Sequence, residues 1–81
     1  MTIRILMFAS LAAQVGKRQL SLDLPDRATV ADALDALAQQ FPDVASLRGN
    51  LAVAVNQSYT AESHELSAGD ELALIPPVSG G

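Results

Sequence analysis

The chain contains no cysteine, and that absence closes several chemistries at once. There can be no disulfide framework, no cysteine-ligated zinc or iron–sulfur site, and no thiol nucleophile. His64 is the only histidine, so a histidine-rich metal site is closed as well, and no metal ligand set is assigned. Basic residues are scarce and unevenly placed: Arg4, Lys17, Arg18, Arg27 and Arg48 all lie in the first 48 positions. Everything charged beyond Arg48 is acidic, namely Glu62, Glu65, Asp70 and Glu71, and the net charge is -4. A nucleic-acid partner needs a basic stripe to neutralise phosphates, and the second half offers none. A basic protein partner approaching that half would be steered favourably. Long apolar runs are missing too. Nothing approaches the ~18 to 20 residues needed to span a membrane. The expectation is a cytoplasmic, non-metallo, non-redox protein with no membrane or nucleic-acid partner.

Length sets a further bound, because 81 residues support one domain with one modest core. Arg4 followed by Ile5 to Ala13 loosely matches a charged region, an apolar stretch and a small-residue cleavage site. Cleavage there would remove the most apolar strand from a domain with little core to spare. A buried first strand uses the same residues without that loss, and is the reading adopted.

Along the chain, Thr2 to Ala9 places Ile3, Ile5 and Met7 on one face and Arg4, Leu6 and Phe8 on the other. A strand apolar on both sides belongs in the middle of a sheet. Ser10 to Val15 is a short Ala-rich segment stopped by Gly16, about one helical turn. Leu20, Leu22 and Leu24 then alternate with Gln19, Ser21 and Asp23, as a half-buried antiparallel strand does. Pro25 ends it. Thr29 is an N-cap with Asp32 in the fourth position of a capping box, where Glu or Gln is usual. Val30, Ala33, Leu34, Leu37 and Phe41 follow at helical spacing, predicting a helix over Val30 to Gln40 that Pro42 closes.

Leu51, Val53 and Val55 mark a third strand ending in the polar turn Asn56-Gln57-Ser58. Tyr59 to Leu66 is weakly patterned and has room for a short edge strand. Ala68-Gly69-Asp70 is a turn, and Glu71 to Ile75 is the last strand. Leu72 and Leu74 fall on one of its faces, Ala73 and Ile75 on the other. The order strand, strand, helix, strand, short strand, strand is an α+β arrangement. A right-handed crossover sets the first and last strands side by side in parallel, which is the β-grasp, ubiquitin-like topology: a mixed sheet of 4–5 strands under one main helix. The domain is predicted over 1–75 and an extended tail over 76–81.

That tail is the only chemically unusual segment. Pro76-Pro77 ends the strand and favours extended geometry, projecting Val78, Ser79, Gly80 and Gly81 outward. Six extended residues reach roughly 20 Å, enough to enter another protein's active site. Two glycines let the backbone thread a narrow channel and leave the last carboxyl open to close approach. By composition a Gly-Gly end arises in about 0.5% of chains, so a frayed end is the weaker explanation. A carboxylate is ionised and inert at neutral pH, with pKa near ~3.5. An acyl-adenylate made from ATP would activate it, and a sulfur nucleophile could then displace AMP.

At this point the chain resembles the MoaD family, the small subunits of molybdopterin synthase. The likeness rests on Pro76-Pro77-Val78-Ser79-Gly80-Gly81, supported by Ala54-Val55-Asn56-Gln57 and Gly69-Asp70-Glu71. The resemblance implies a sulfur carrier that is itself the non-catalytic subunit of a sulfurtransferase. Gly81 would be adenylated by a partner similar to ubiquitin-activating enzymes, which uses the ATP, and converted to a thiocarboxylate. No cofactor would be bound. The tail Pro76 to Gly80 would insert into the large subunit, in an assembly of two small and two large subunits. There the sulfur would attack cyclic pyranopterin monophosphate, two deliveries building the dithiolene of molybdenum cofactor.

Family members often carry aromatic residues before the proline pair, where this chain has Leu74 and Ile75. Leu6, Phe8, Leu74 and Ile75 are the candidate partner interface, apolar in character. His64 is read as a solvated loop residue, Asp32 and Asp35 as a solvated helix face, and Tyr59 as a boundary residue with its ring packed. A related thiamin-type carrier, a ubiquitin-like protein modifier, and a plain binding module with an idle tail are the alternatives.

Overall fold

The computed structural model describes residues 1–77. In chain order it contains β1 (Thr2–Met7), α1 (Ala9–Val15), β2 (Gln19–Asp23), α2 (Val30–Gln40) and α3 (Pro42–Leu47). A 3-10 turn over Arg48–Asn50 leads into β3 (Ala52–Val55), β4 (Ser58–Tyr59) and β5 (Glu71–Ile75). The strands form one mixed sheet in the order β2-β1-β5-β3-β4. β5 lies parallel to β1, with Ile5 opposite Leu72 and Met7 opposite Leu74. All other pairings are antiparallel. This is the β-grasp arrangement expected from the element order, with both central strands apolar.

Strand periodicity explains where the core sits. Ile3, Ile5, Met7, Val53, Val55, Leu72 and Leu74 share one face and are buried. They pack in one cluster with Leu11 of α1, Val30, Ala33, Leu34 and Leu37 of α2, and Val44 of α3. The apolar stripe of α2 is what closes this layer. Its start is fixed by a complete capping box despite the aspartate: Asp32 N donates to Thr29 Oγ1 at 3.3 Å, and Thr29 N donates to Asp32 Oδ2 at 2.9 Å.

Two elements depart from expectation. Pro42 does follow the end of α2, but it also opens α3 in the first helical turn, with Phe41 extended between the two helices. Proline has no N–H to lose there and its fixed φ suits the position. α3 sends Val44 into the core, so cover is supplied by more than the main helix. The short strand forms at Ser58–Tyr59, at the start of the stretch expected to hold it. Asn56 (φ 50) and Gln57 (φ 72) make a two-residue turn with both φ positive, which folds Ser58 back against Val55 at once. Residues 60–66 instead run as a loop held to the helix by Val30 N donating to His64 O (2.9 Å) and Leu66 N donating to Ala28 O (2.8 Å).

Arg48 binds this loop to the helical layer. It pairs with Asp35 of α2 and with Glu62 at 3.2 Å, and reaches Ala31 O at 3.4 Å. Hydrogen bonds from Asp35 first and Glu62 second push the guanidinium above its ordinary pKa. Its folded value being raised, the contribution is complete below the ordinary guanidinium range and is lost only above it. Arg48→Met keeps an apolar stem but removes both pairs. We expect it to lower stability by about 1 kcal/mol, read as a drop in the urea midpoint with unchanged slope. An unmoved midpoint would show the pairs to be energetically silent.

Candidate functional site

The face of the sheet opposite the helices is graded from charged to apolar. One row across the strands holds Arg4 and Glu71, register partners joined by an ion pair at 2.9 Å. The next row toward the C-terminal end of β5 reads Leu6, Ala73, Ala54, Tyr59 in strand order. Beyond it Ile75 stands opposite Ala52, and Phe8 follows the end of β1. Small alanines in the middle and larger side chains around them leave a shallow depression. Its lining is Leu6, Phe8, Ala54, Gln57, Tyr59, Glu71, Ala73 and Ile75. Phe8 is 45% exposed and Tyr59 is 76% exposed, the two large hydrophobics that face solvent among the described residues. Because β1 and β5 are parallel, this apolar end is also the end at which β5 passes the chain to Pro76.

Four residues were candidates for a partner interface, and the structure separates them. Leu6 and Ile75 are half-buried on the open face and Phe8 is exposed beside them. Leu74 is not available: it is fully buried on the helix side, opposite Met7 and Val53. Neighbours in a strand point to opposite faces, so Leu74 and Ile75 cannot both present themselves to one partner. Ala73 takes its place.

Tyr59 also departs from expectation, since its ring is exposed on β4 rather than packed. The signal that places it is the Asn56-Gln57 turn, which sets Tyr59 opposite Ala54.

Pro76 is buried and Pro77 exposed, so the chain leaves the body one residue later than the expected boundary. The remaining tail positions, Val78, Ser79, Gly80 and Gly81, lie outside the described residues. The two weaker sequence motifs meet in space. Asn56 Nδ2 donates to Asp70 Oδ1 at 3.0 Å, and Glu71 N donates to Asn56 Oδ1 at 3.0 Å. Asp70 Oδ2 in turn accepts from Ser67 N at 2.8 Å.

This network aligns the start of β5 with the β3–β4 turn, a positioning role with no reacting group in it. Asn56→Ala loses both side-chain bonds and forces a Cβ residue other than asparagine into positive φ. We expect a loss of about 1–2 kcal/mol in urea titrations, with Asn56→Gly retaining part of it because the backbone strain is relieved. Equal losses for the two would assign the effect to the hydrogen bonds alone.

Among the described residues no acid–base or metal constellation accompanies this surface. Asp32 is spent on the helix cap and Asp35 on Arg48. His64 is exposed, with its backbone holding the loop. Among the described residues no group of three or more His, Asp or Glu could hold a metal ion. No helix there is long and apolar enough to cross a membrane. Among the described residues the arrangement offers an apolar face beside the point where β5 ends at Pro76.

A model of the ThiS family matches residues 5–81, from β1 through the final glycine. The chain is similar to the Arabidopsis thaliana protein named molybdopterin synthase sulfur carrier subunit, at 38% identity over 98% of this chain and 82% of that one. It is also similar to small archaeal modifier protein 1 of Haloferax volcanii, 42% identical over 93% of this chain and 95% of that one. The crystal structure of that archaeal protein covers 100% of both chains with a TM-score of 0.88 and 38% identity.

Proposed function

The chain belongs to the ThiS family, and on that footing we propose that it is the sulfur carrier subunit of a molybdopterin synthase. The observation that carries this reading is the likeness to the Arabidopsis carrier over 98% of this chain, set beside a family match that runs to Gly81. The chemistry follows from the tail. The Gly81 carboxylate attacks the α-phosphorus of ATP on an activating partner similar to ubiquitin-activating enzymes, releasing pyrophosphate. A sulfur nucleophile then attacks the acyl carbon, and AMP leaves with the bonding electrons. The product is a thiocarboxylate, whose sulfur is the better nucleophile. In the large subunit it attacks cyclic pyranopterin monophosphate, and hydrolysis of the acyl bond returns the carboxylate to Gly81. Two carriers are consumed for each dithiolene.

Pro77 to Gly80 reach into the partner while Leu6, Phe8, Ala73 and Ile75 dock on its surface. Small residues at 79–81 keep the channel narrow enough to exclude water from the thioacid. The assembly is a heterotetramer of two small and two large subunits in the cytoplasm, and the carrier itself binds no cofactor. Reconstitution with the activating enzyme, ATP and sulfide, followed by large subunit and pterin substrate, should consume two thiocarboxylated chains per molybdopterin. Product formation without ATP, or with the chain left out, would overturn the reading.

A second reading has its own support in the 42% identity to small archaeal modifier protein 1. There the same adenylated Gly81 would be taken by a lysine amine, forming an isopeptide bond. Cellular proteins whose lysines carry this chain's 49–81 segment as an isopeptide branch after tryptic digestion would identify that activity, and their absence alongside active molybdopterin synthesis would exclude it.

A further inference from the structure

Around Phe8 the open face turns a corner into a second depression. It is lined by Leu6, Met7 and Phe8 on one side, Ala9, Ala12, Ala13 and Gly16 of the α1 region on another, and Lys17, Arg18 and Gln19 at the entry to β2. Leu6 and Phe8 line both depressions, so the two adjoin. Ala9 holds a positive φ of 51, which ends β1 and swings the chain into α1, leaving Phe8 as the ridge between them. Alanine pays strain in that conformation, about 1 kcal/mol or more, and three alanines with one glycine leave the groove unfilled.

Charge singles this groove out. Arg4 is paired with Glu71, Arg27 with Glu65 at 3.2 Å, and Arg48 with Asp35 and Glu62. The N-terminal ammonium donates to Leu24 O at 2.7 Å and lies 3.8 Å from Asp26. Lys17 and Arg18 are the only cations without an acidic partner among the described residues, and both are exposed. They sit side by side on a chain whose net charge is -4.

Their position matters as much as their charge. Met7 N donates to Arg18 O at 2.8 Å, and Met7 faces Leu74 across the parallel pair. The Arg18 backbone therefore lies two strand spacings, roughly 10 Å, from Leu74 near the end of β5.

We propose that this groove receives an acidic segment of the partner that docks on the open face, one carrying carboxylates next to an apolar side chain. The inference rests on the docking reading above and adds the partner's charge. Phe8, Ala12 and Ala13 take the apolar side chain, while Lys17 and Arg18 take the carboxylates. An apolar sheet face alone permits sliding along the strands. A charge pair at one corner fixes the orientation, and so fixes where the tail enters. A polyanion such as nucleic acid does not suit the site, since two cations on a chain of net charge -4 do not make the basic stripe that phosphates need.

The test is binding of the large subunit from the same organism, measured by calorimetry at ~0.05 M and ~0.5 M salt. The variants are Lys17→Glu/Arg18→Glu and Phe8→Ala, each checked for an unchanged urea midpoint. Charge reversal is expected to weaken binding about tenfold at low salt and little at high salt, while Phe8→Ala weakens it equally at both. If charge reversal leaves low-salt affinity at the wild-type value and Phe8→Ala still weakens it, the acidic groove partner is wrong and the docking face stands. If neither variant changes affinity, or the wild-type chain forms no complex, both readings fall.

Discussion

Deletion of Gly81 is expected to reduce sulfur transfer to background, while the folded domain keeps its urea midpoint and its affinity for the large subunit. The reason is positional. On the proposed function the Gly81 carboxyl must reach two active sites in other proteins, and the number of residues after Pro76 limits how far it can reach. Removing one residue withdraws the carboxyl by about 3.3 Å and places the Cβ and hydroxymethyl-bearing Ser79 one position nearer the reacting end. Adding one residue after Gly81 should be equally damaging, because the activated carboxyl would then lie beyond its target. Terminal residues make few contacts, so stability should move by no more than about 0.5 kcal/mol. A Gly81 deletion that still supported molybdopterin formation at the wild-type rate would contradict the assignment of the reacting group.

Adjacent residues at the end of β5 should give opposite phenotypes. Leu74→Ala is expected to cost about 3 kcal/mol, because Leu74 is fully buried against Val53 and Met7 and its removal opens a cavity under the helices. For 81 residues the whole stability is of order 4–12 kcal/mol, so a large share would be lost. Ile75→Ala removes a half-buried side chain from the open face and should cost under about 1 kcal/mol in stability. Its effect belongs in docking, where about a tenfold loss of affinity for the large subunit is expected. Thermal unfolding and calorimetry on the two variants separate these roles. A destabilised Ile75→Ala with normal docking would remove the open face from the account.

The central elements were legible because each carried a complete pattern. One parity of β1 is wholly apolar and the other turns apolar at Leu6, the stripe of α2 covers three turns, and Thr29 with Asp32 marks its start. α3 was hidden because a proline after a helix reads as a stop, although the same residue is favoured in the first turn of the next one. β4, which meets the expected stretch only at Tyr59, was loosely bounded because two residues have no periodicity, and its register comes from the Asn56-Gln57 turn.

The expected interface mixed two kinds of signal. Leu6, Phe8 and Ile75 follow the pleat, whereas Leu74 was included only for its place before the prolines, and the pleat turns it inward. Tyr59 was missed for a related reason: an aromatic ring suggests packing, and only the strand register shows which side of the sheet it occupies. The groove at Lys17 and Arg18 was invisible in the sequence, since which cations are neutralised depends on partners as far apart as Arg4 and Glu71.

The missing cysteines give the central claim its sharpest form, for a sulfur carrier with no sulfhydryl side chain can hold transferable sulfur only at its end. The most direct measurement is the intact mass of the protein purified from its own host, with fragmentation to place any modification. A fraction heavier by the exchange of one oxygen for one sulfur, located at Gly81, is the predicted result. A single species bearing only the carboxylate, from cells that hold the activating enzyme and a sulfur source but lack the large subunit that would discharge the sulfur, would contradict it.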